Sequence, residues 1–333
     1  MRAAVLVERG RIEMEQRRVP TPGPGDVLVR VSSVGVCGSD THYYRDGRIG
    51  DFVVEAPLVL GHEAAGTIVG VGEAVDPSRI GQRVSIEPQR PDPETEETRR
   101  GDYNLCPHMK FFATPPVDGA LCDYVTIGAD FAHPVPDSVS DDAAALCEPL
   151  SVGIAAVRKA GVDDRSRVLI AGAGPIGIVV AQVARAYGAT EIVVSDPDPT
   201  RRDRATSFGA TAVVDPGVEK VGELRVDAFI DASGAAAAVA DGIRAVRPAG
   251  RVVLVGMGGE SMELPTQVIQ NRELVLTGVF RYTNTWPTAI ALVESGRVDL
   301  DAMVTAHFAL ENAAEALDSD QMPGSVKAVV TVS

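Results

Sequence analysis

The chain has 333 residues, of which 45% are hydrophobic and 23% are charged. This length exceeds the roughly 150 residues of one ordinary core, so a small disulfide-stapled module is excluded, and the composition is that of a globular protein rather than a disordered one. The formal net charge of −15 repels phosphate backbones and anionic lipid surfaces, which disfavours nucleic acid and membrane as principal partners.

The cysteines and the N-terminus indicate a cellular compartment. Cys37, Cys106, Cys122 and Cys147 form no C-x-x-C pair, and the N-terminus has no continuous apolar run of the kind found in signal peptides. No uncharged apolar run approaches the roughly 20 residues that cross a bilayer. We therefore expect a protein of the reducing cytoplasm without disulfides.

Residues 1–147 are rich in glycine, proline and short β-type runs separated by turn signals. This pattern predicts an irregular, mostly antiparallel β domain. Its predicted strands are residues 27–32, 66–71, 83–87 and 121–127. The polar run 88–104 is punctuated by proline and lacks periodicity, so we predict an exposed loop there.

From about residue 150, short apolar runs alternate with alanine-rich helical patterns. This rhythm is typical of βαβ units around a buried parallel sheet and predicts an α/β fold. The predicted strands are residues 167–171, 191–195, 228–231, 251–255 and 274–277. The tail contains two predicted amphipathic helices, 286–295 and 310–318, and a last strand, 328–332, and we expect it to rejoin the first domain.

A glycine-rich turn, GAGPIG at 172–177, follows the predicted strand 167–171 directly and opens a helical run. Gly172 permits a tight turn, Gly174 lets backbone N–H groups approach a pyrophosphate, and Gly177 lets helix and strand pack closely. This context predicts a doubly wound, Rossmann-type parallel sheet that binds a dinucleotide, with Pro175 and Ile176 also at the cofactor.

The end of the second strand of this unit bears on the choice of cofactor. Asp196 indicates NAD rather than NADP, because a carboxylate accepts hydrogen bonds from ribose hydroxyls and repels a 2′-phosphate. Arg201 and Arg202 leave alternatives open, since an arginine here binds a 2′-phosphate, lies on the adenine or remains a solvated charge. With Asp196 present we favour the last two, and we expect Arg201 near the cofactor.

Few residues of the first domain are suited to bind a metal. Cys37 lies in a Gly/Ser/Asp loop, His62 and Glu63 precede a predicted strand, and Glu148 ends the domain. Thiolate, imidazole and carboxylate together form the three-ligand set of a catalytic zinc with an open fourth position. The residues alone leave open that Cys37 is a small buried apolar residue and His62 a hydrogen-bonded structural one.

Six segments together resemble the zinc-dependent medium-chain dehydrogenase/reductase family, and the likeness covers essentially the whole chain. They are CGSD at 37–40, GHEAAGTIVGVG at 61–72, FFATPP at 111–116, EPLSVGI at 148–154, AGAGPIG at 171–177 and GVFRYTNTWP at 278–287. Within the family the likeness is greatest to the polyol dehydrogenases of the sorbitol type. It implies a GroES-like catalytic domain (1–147), a Rossmann NAD-binding domain (148–283), a C-terminal segment (284–333) that returns to the catalytic domain, and a substrate cleft between the domains.

The resemblance implies one catalytic zinc at Cys37, His62 and Glu63, with Glu148 on the metal or on its bound water. Which glutamate touches zinc stays open, and Glu148 is alternatively a favourable charge at a helix N-terminus. We expect no structural zinc, because residues 88–110 hold one cysteine, Cys106, where many relatives carry four.

The resemblance also implies roles in proton transfer and substrate binding. Ser39 and His42 would relay the released proton, unless His42 is a surface histidine. The polyol would be bound by Ser39, Tyr43, Arg281 and Tyr282, with Phe112 or its neighbour Phe111 as an apolar wall. Core packing is the alternative for the aromatic residues, and a surface charge is the alternative for Arg281. The nicotinamide would lie beside Val255, Gly256 and Val279, close to Arg281.

The function that the resemblance implies is oxidation of a polyol, such as sorbitol or xylitol, to the ketose by hydride transfer to NAD. A homo-oligomer, tetramer or dimer, is expected. One alternative is an alcohol, threonine or sugar-acid dehydrogenase on the same scaffold, against which FRYTNTWP argues. Another is a non-catalytic nucleotide-binding relative, against which the intact metal-binding residues argue.

Overall fold

A computed structural model describes all of residues 1–333, which form two compact units. Unit 1 comprises Met1–Glu148, Trp286–Glu294 and Leu300–Ser333, and unit 2 comprises Pro149–Thr285 and Ser295–Asp299. The short segment Ser295–Asp299 stays with unit 2, where Gln182 Oε1 accepts a hydrogen bond from the Asp299 amide at 2.7 Å. The tail therefore does not return to unit 1 as one piece.

The N-terminal part of the chain is mostly β-structure. Its elements are β1 Arg2–Glu8, β2 Arg11–Gln16, β3 Asp26–Gly35, α1 Gly38–Asp46, β4 Arg48–Ile49, β5 Phe52–Val53, β6 Leu58–Val59, β7 Glu63–Val71, β8 Arg83–Ile86, β9 Gln89–Arg90, α2 Glu96–Arg100, β10 Lys110–Phe111, β11 Tyr124–Gly128, β12 Ala132–Pro134 and α3 Asp141–Ala145. Strand β3 alternates between buried and more exposed positions over its first residues, as a strand does with one face on the core.

The middle of the chain alternates strands and helices. Its elements are α4 Cys147–Ala160, β13 Arg167–Ala171, α5 Pro175–Ala186, β14 Glu191–Ser195, α6 Pro199–Ser207, β15 Ala212–Val214, β16 Val226–Asp231, α7 Ala236–Ala245, β17 Val246–Leu254, α8 Thr266–Asn271 and β18 Val275–Gly278. The six strands form one parallel sheet in the order β15-β14-β13-β16-β17-β18. The prediction of a doubly wound parallel sheet is confirmed, with the strand order reversing between β13 and β16.

The C-terminal part contributes α9 Trp286–Glu294, β19 Val304–Ala309, α10 Ala313–Leu317 and β20 Lys327–Thr331. Strand β20 pairs antiparallel with β3 and parallel with β19. The main sheet of unit 1 thus runs β12-β8-β7-β3-β20-β19, with β11 also paired to β3. All of its other pairings are antiparallel, which confirms the prediction of a mostly antiparallel first domain.

The prediction of an exposed loop at residues 88–104 is wrong in two places. Gln89 is fully buried, and helix α2 occupies part of the run. Thr95 caps α2 with its hydroxyl oxygen, and Gly101 ends the helix in the left-handed region at φ 94°. Acids in its first turn and arginines in its last also suit the helix dipole, so local capping outweighs the polar composition.

None of the helices is both long enough and apolar enough to cross a membrane.

Candidate active site

The sheet of unit 1 brings the three predicted metal ligands together. Cys37 lies just after β3 and precedes α1, while His62 and Glu63 stand at the start of β7, which pairs antiparallel with β3. One ligand atom of each residue lies within 4.8 Å of the others. The antiparallel pairing explains the cluster, because it places the end of β3 beside the start of β7.

The donor set of this cluster fits zinc. Sulfur, imidazole nitrogen and carboxylate oxygen are the ligands that catalytic zinc takes from proteins. Glu63 is fully buried, and its Oε2 atom has no hydrogen-bond partner. A buried carboxylate oxygen without a donor is costly, and a cation beside it would remove that cost.

A buried aspartate, Asp40, contacts the two segments that carry Cys37 and His62. Asp40 accepts hydrogen bonds from the amides of Gly61 at 2.9 Å and Cys37 at 3.2 Å, and its Oδ1 lies 3.5 Å from His62 Nδ1. Burial by itself would raise the pKa of Asp40, but the nearby His62 charge and these hydrogen bonds lower it below the ordinary value. Burial would likewise lower the pKa of His62, but the charges of Asp40 and Cys37 hold it well above its ordinary value.

A buried lysine, which the sequence analysis did not single out, lies on the other side of Glu63. Lys327 Nζ donates a hydrogen bond to Glu63 Oε1 at 2.5 Å. Burial would lower the pKa of Lys327, but the charges of Glu63 and Cys37 raise it, and that of Glu148 adds to them. The charge of Glu148 therefore reaches Lys327, although Glu148 is not part of the three-residue cluster. The signal for this residue in the sequence is a lysine at the start of the apolar run Ala328–Val330.

The residues predicted for proton transfer lie on α1. His42 is exposed over 58% of its side chain and lies 3.1 Å from Asp46 Oδ2 through Nδ1. Ser39 is half-buried and shares no hydrogen bond with His42, whereas Tyr43 is buried. The relay therefore stays a prediction.

The aromatic residues predicted to bind the substrate lie in different environments. The ring of Phe111 lies 5.6 Å from the His62 ring, centroid to centroid. Phe112 packs instead in the apolar core of unit 1. In unit 2, the Arg281 guanidinium lies over the Phe280 ring at 4.7 Å, and Tyr282 is fully buried.

The glycine-rich turn of unit 2 has the shape of a phosphate-binding loop. Gly172 has φ +95°, in the left-handed region, and a Cβ atom on Gly177 would lie 1.8 Å from the Gly172 oxygen. A Cβ atom on Gly174, which precedes α5, would meet nothing within 4 Å. The loop is therefore open at Gly174, at the N-terminus of a helix, where an anion is stabilised.

Asp196 and the two arginines that follow it in the chain, Arg201 and Arg202, differ in their partners and in their exposure. The Asp196 carboxylate accepts hydrogen bonds from the amides of Ala173 at 2.8 Å and Asp198 at 2.9 Å. Arg202 donates to the Asp196 carbonyl at 2.7 Å and pairs with Asp215 Oδ2 at 2.9 Å, with 15% of its side chain exposed. Arg201 is exposed.

The backbone predicted to flank the nicotinamide lies at the carboxyl ends of the sheet. The amides of Val255 and Gly256 donate to the Asp231 carbonyl, and that of Val279 donates to the Leu254 carbonyl. Ligands of open α/β sheets bind at these strand ends. The contacts with cofactor and substrate stay predictions.

Comparisons with known proteins agree with both units. The family model described as alcohol dehydrogenase GroES-like domain matches residues 23–137, and the one described as zinc-binding dehydrogenase matches residues 175–295. Sorbitol dehydrogenase of Mus musculus is 43% identical over 331 residues, covering 96% of this chain and 93% of that protein.

Solved structures with similar folds hold nicotinamide cofactors. A putative zinc-binding dehydrogenase of Sinorhizobium meliloti 1021, bound to NADP, has a TM-score of 0.92 and 31% identity, and 99% of each chain is covered. A protein of Escherichia coli CFT073 described as a short chain alcohol dehydrogenase, in complex with NADH, has a TM-score of 0.94 and 27% identity, covering 100% of this chain and 99% of that one. With its GroES-like and zinc-binding dehydrogenase domains and a near full-length match to a sorbitol dehydrogenase, the chain belongs to the zinc-dependent medium-chain dehydrogenase/reductase family and is an oxidoreductase that uses zinc and a nicotinamide cofactor.

Proposed function

We propose that the protein oxidises a polyol, such as sorbitol or xylitol, to the corresponding ketose with NAD as the hydride acceptor. Unit 1 acts as the catalytic domain and unit 2 as the cofactor domain. The observation that carries the proposal is the cluster of half-buried Cys37 with buried His62 and Glu63, with its unpaired carboxylate oxygen, in a chain that is 43% identical to a sorbitol dehydrogenase.

We assign one zinc ion to this cluster. When bound, zinc would stabilise negative charge on the oxygen of the substrate hydroxyl, and the nicotinamide ring would accept hydride from the adjoining carbon. Asp40 lies beside Nδ1 of His62 and so leaves Nε2 for the metal. The Phe111 ring lies beside His62 and would keep water away from that side of the ligand. Glu148 adds a second carboxylate near the site and would hold the substrate or a water molecule.

The remaining substrate and proton roles are proposals of the same kind. Ser39 and Tyr43 on α1, together with Arg281 and Tyr282, would bind the additional hydroxyls of a polyol. A site built around several fixed donors and acceptors penalises a simple alcohol, which would leave them unpaired. The exposed His42, paired with Asp46, suits the exit of the proton to solvent. We assign the apolar wall to Phe111 rather than Phe112, because Phe111 is the one that lies beside His62.

NAD is proposed as the preferred cofactor. The Asp196 carboxylate stands at the end of β14, and each of its oxygens keeps a lone pair beyond its backbone hydrogen bond for a ribose hydroxyl. Arg202 is held by Asp215, which makes it a poor partner for a 2′-phosphate. Arg201, which is exposed, would lie along the adenosine.

A single zinc per chain is proposed because the lobe 88–110 is held together in another way. Cys106 Sγ accepts hydrogen bonds from the Asp92 amide at 3.2 Å and from Thr95 Oγ1 at 3.6 Å. A lone sulfur with these partners ties the lobe without a thiolate cage. The four free thiols also suit the reducing cytoplasm that we propose as its location.

The experiment combines metal analysis with kinetics. Purified protein is expected to hold one zinc per chain and to oxidise sorbitol or xylitol with a higher kcat/KM for NAD than for NADP. Chelation should abolish the activity and added zinc should restore it. The Cys37→Ser variant should lose the metal, whereas the matched Cys106→Ser variant should keep it.

Each part of the proposal has its own contradicting result. Zinc-loaded protein that turns over no polyol would refute the substrate class. A higher kcat/KM with NADP would refute the cofactor preference, and two zinc ions per chain would refute the single site.

A further inference from the structure

The carboxylate of Glu63 extends across a neighbouring strand. In the sheet of unit 1, β3 lies between β7 and β20, with Gly35 of β3 opposite Glu63 on one side and Val329 on the other. Lys327 precedes Val329 by two residues on β20, so its side chain is on the same face. Glu63 and Lys327 meet although a whole strand separates them.

The residue between Glu63 and Lys327 is Gly35. The contact between the two charged side chains depends on the absence of a side chain at this position. A Cβ atom on Gly35 would lie 2.1 Å from Glu63 Oε2 and 3.2 Å from Glu63 Cβ. The space that any other residue would fill is therefore occupied first by the Oε2 atom and next by Leu146 Cδ2, which would lie 2.8 Å from that Cβ atom. Oε2 is the same oxygen that has no hydrogen-bond partner.

The ammonium group of Lys327 joins the two segments that carry the metal ligands. It donates to Glu63 Oε1 at 2.5 Å and to the carbonyl oxygen of Val36 at 2.8 Å. Val36 precedes Cys37, and its own amide donates to the Ala328 carbonyl at 3.0 Å. The start of β20 thus holds the Cys37 loop and the Glu63 carboxylate in one place.

We propose that Lys327 and Gly35 are positioning residues that select which oxygen of Glu63 faces the metal. Lys327 holds Oε1 by a hydrogen bond. Because Gly35 has no side chain, Oε2 has room to serve as the metal ligand. The inference rests on the metal centre of the proposed function. Outer partners of this kind fix the orientation of a ligand and change metal affinity when they are removed.

The test measures metal binding in Lys327→Met and Gly35→Ala, with Lys220→Met as the control. Lys220 is an exposed lysine of unit 2, and its replacement removes the same charge. Zinc affinity is measured by competition with a chromophoric chelator, and coordination by the visible spectrum of the cobalt-substituted protein. Both variants should bind zinc on the order of 10- to 100-fold more weakly and change the cobalt spectrum, whereas the control should match the wild type.

An ion pair with only a structural role would change stability and leave these two readouts unaltered. If Lys327→Met does not fold, Lys327→Gln, which still donates one hydrogen bond, replaces it in the same measurements. Folded variants with wild-type zinc affinity and an unaltered cobalt spectrum would overturn the inference alone. A wild-type chain that binds no zinc would overturn the proposed function and this inference together.

Discussion

Two cysteines of unit 1 show how burial changes the pKa of an ionisable side chain. Cys122 and Cys147 are buried in apolar surroundings, and burial raises the pKa of each thiol from the ordinary 9.0 to about 12. Because the thiolate is the reactive form, such cysteines are inert in the folded protein. A hydrogen bond from the Cys147 thiol to the Ala143 carbonyl reinforces this state.

We expect neither Cys122 nor Cys147 to react with iodoacetamide in the folded protein at pH 8. The folded state keeps both thiols neutral up to about pH 12, whereas the unfolded chain ionises them from about pH 9. The free energy of unfolding should therefore decrease as the pH rises from 9 towards 12. Peptide mass spectrometry of alkylated protein checks the first expectation, with denatured protein as the positive control. Labelling of either cysteine at the denatured rate would contradict it.

The glycine-rich turn shows how one short element uses glycine for different reasons. Gly172 adopts a left-handed backbone, Gly177 allows the helix and turn to touch, and Gly174 has an ordinary φ of −74° with empty space beside it. Two of these requirements belong to the fold. The requirement at Gly174 belongs to the ligand, because no atom of the protein occupies the space that a side chain there would fill.

The variants Gly174→Ala and Gly177→Ala should therefore behave differently. Gly174→Ala should leave the melting temperature nearly unchanged but weaken NAD binding, because its methyl group occupies space that the pyrophosphate needs. Gly177→Ala should reduce the free energy of unfolding by about 1–3 kcal/mol, since its methyl group overlaps the Gly172 oxygen. Calorimetric melting and NAD titration separate the two effects. Unaltered NAD affinity in Gly174→Ala would contradict the assignment of this turn.

At the scale of the whole molecule, the parallel sheet of unit 2 ends in an open edge. Strand β18 pairs only with β17, and Val275 and Leu276 are exposed over 47% and 36% of their surface. Phe280, just beyond the strand, is also exposed. An apolar edge strand with free N–H and C=O groups favours pairing with another chain. We propose this edge as the contact between copies in a dimer or tetramer.

The variant Leu276→Arg should reduce the mass of the particle in solution. A charge on the edge strand opposes the approach of a second β18, so light scattering after size exclusion should give a lower mass than for the wild type. Val218→Arg adds the same charge at an exposed position of unit 2 outside the sheet and should leave the mass unchanged. An assembly of unaltered size in Leu276→Arg would place the contact elsewhere.

The sequence predicted the parallel sheet more accurately than the rest of the fold. Strands β13 and β14 coincide with the predicted runs 167–171 and 191–195, because a strand buried on both faces is a continuous apolar segment. Strand β2 was missed, since it is largely exposed and its composition resembles that of a loop. Strand β19 was missed for the same reason, because none of its residues is fully buried.

The sequence by itself determined the glycine-rich turn with its following acid, which can be read locally because residue type and spacing carry the chemistry. Residue type and spacing left the zinc site open, and Cys37, His62 and Glu63 became the expected ligands only through the resemblance to a known family. The tertiary structure alone decided the pairing of Lys327 with Glu63 across β3, the position of Phe111 beside His62, and the capture of Arg202 by Asp215. These contacts join residues on different strands, helices and loops, and sheet pairing and chain packing bring them together, so no local pattern in the sequence encodes them.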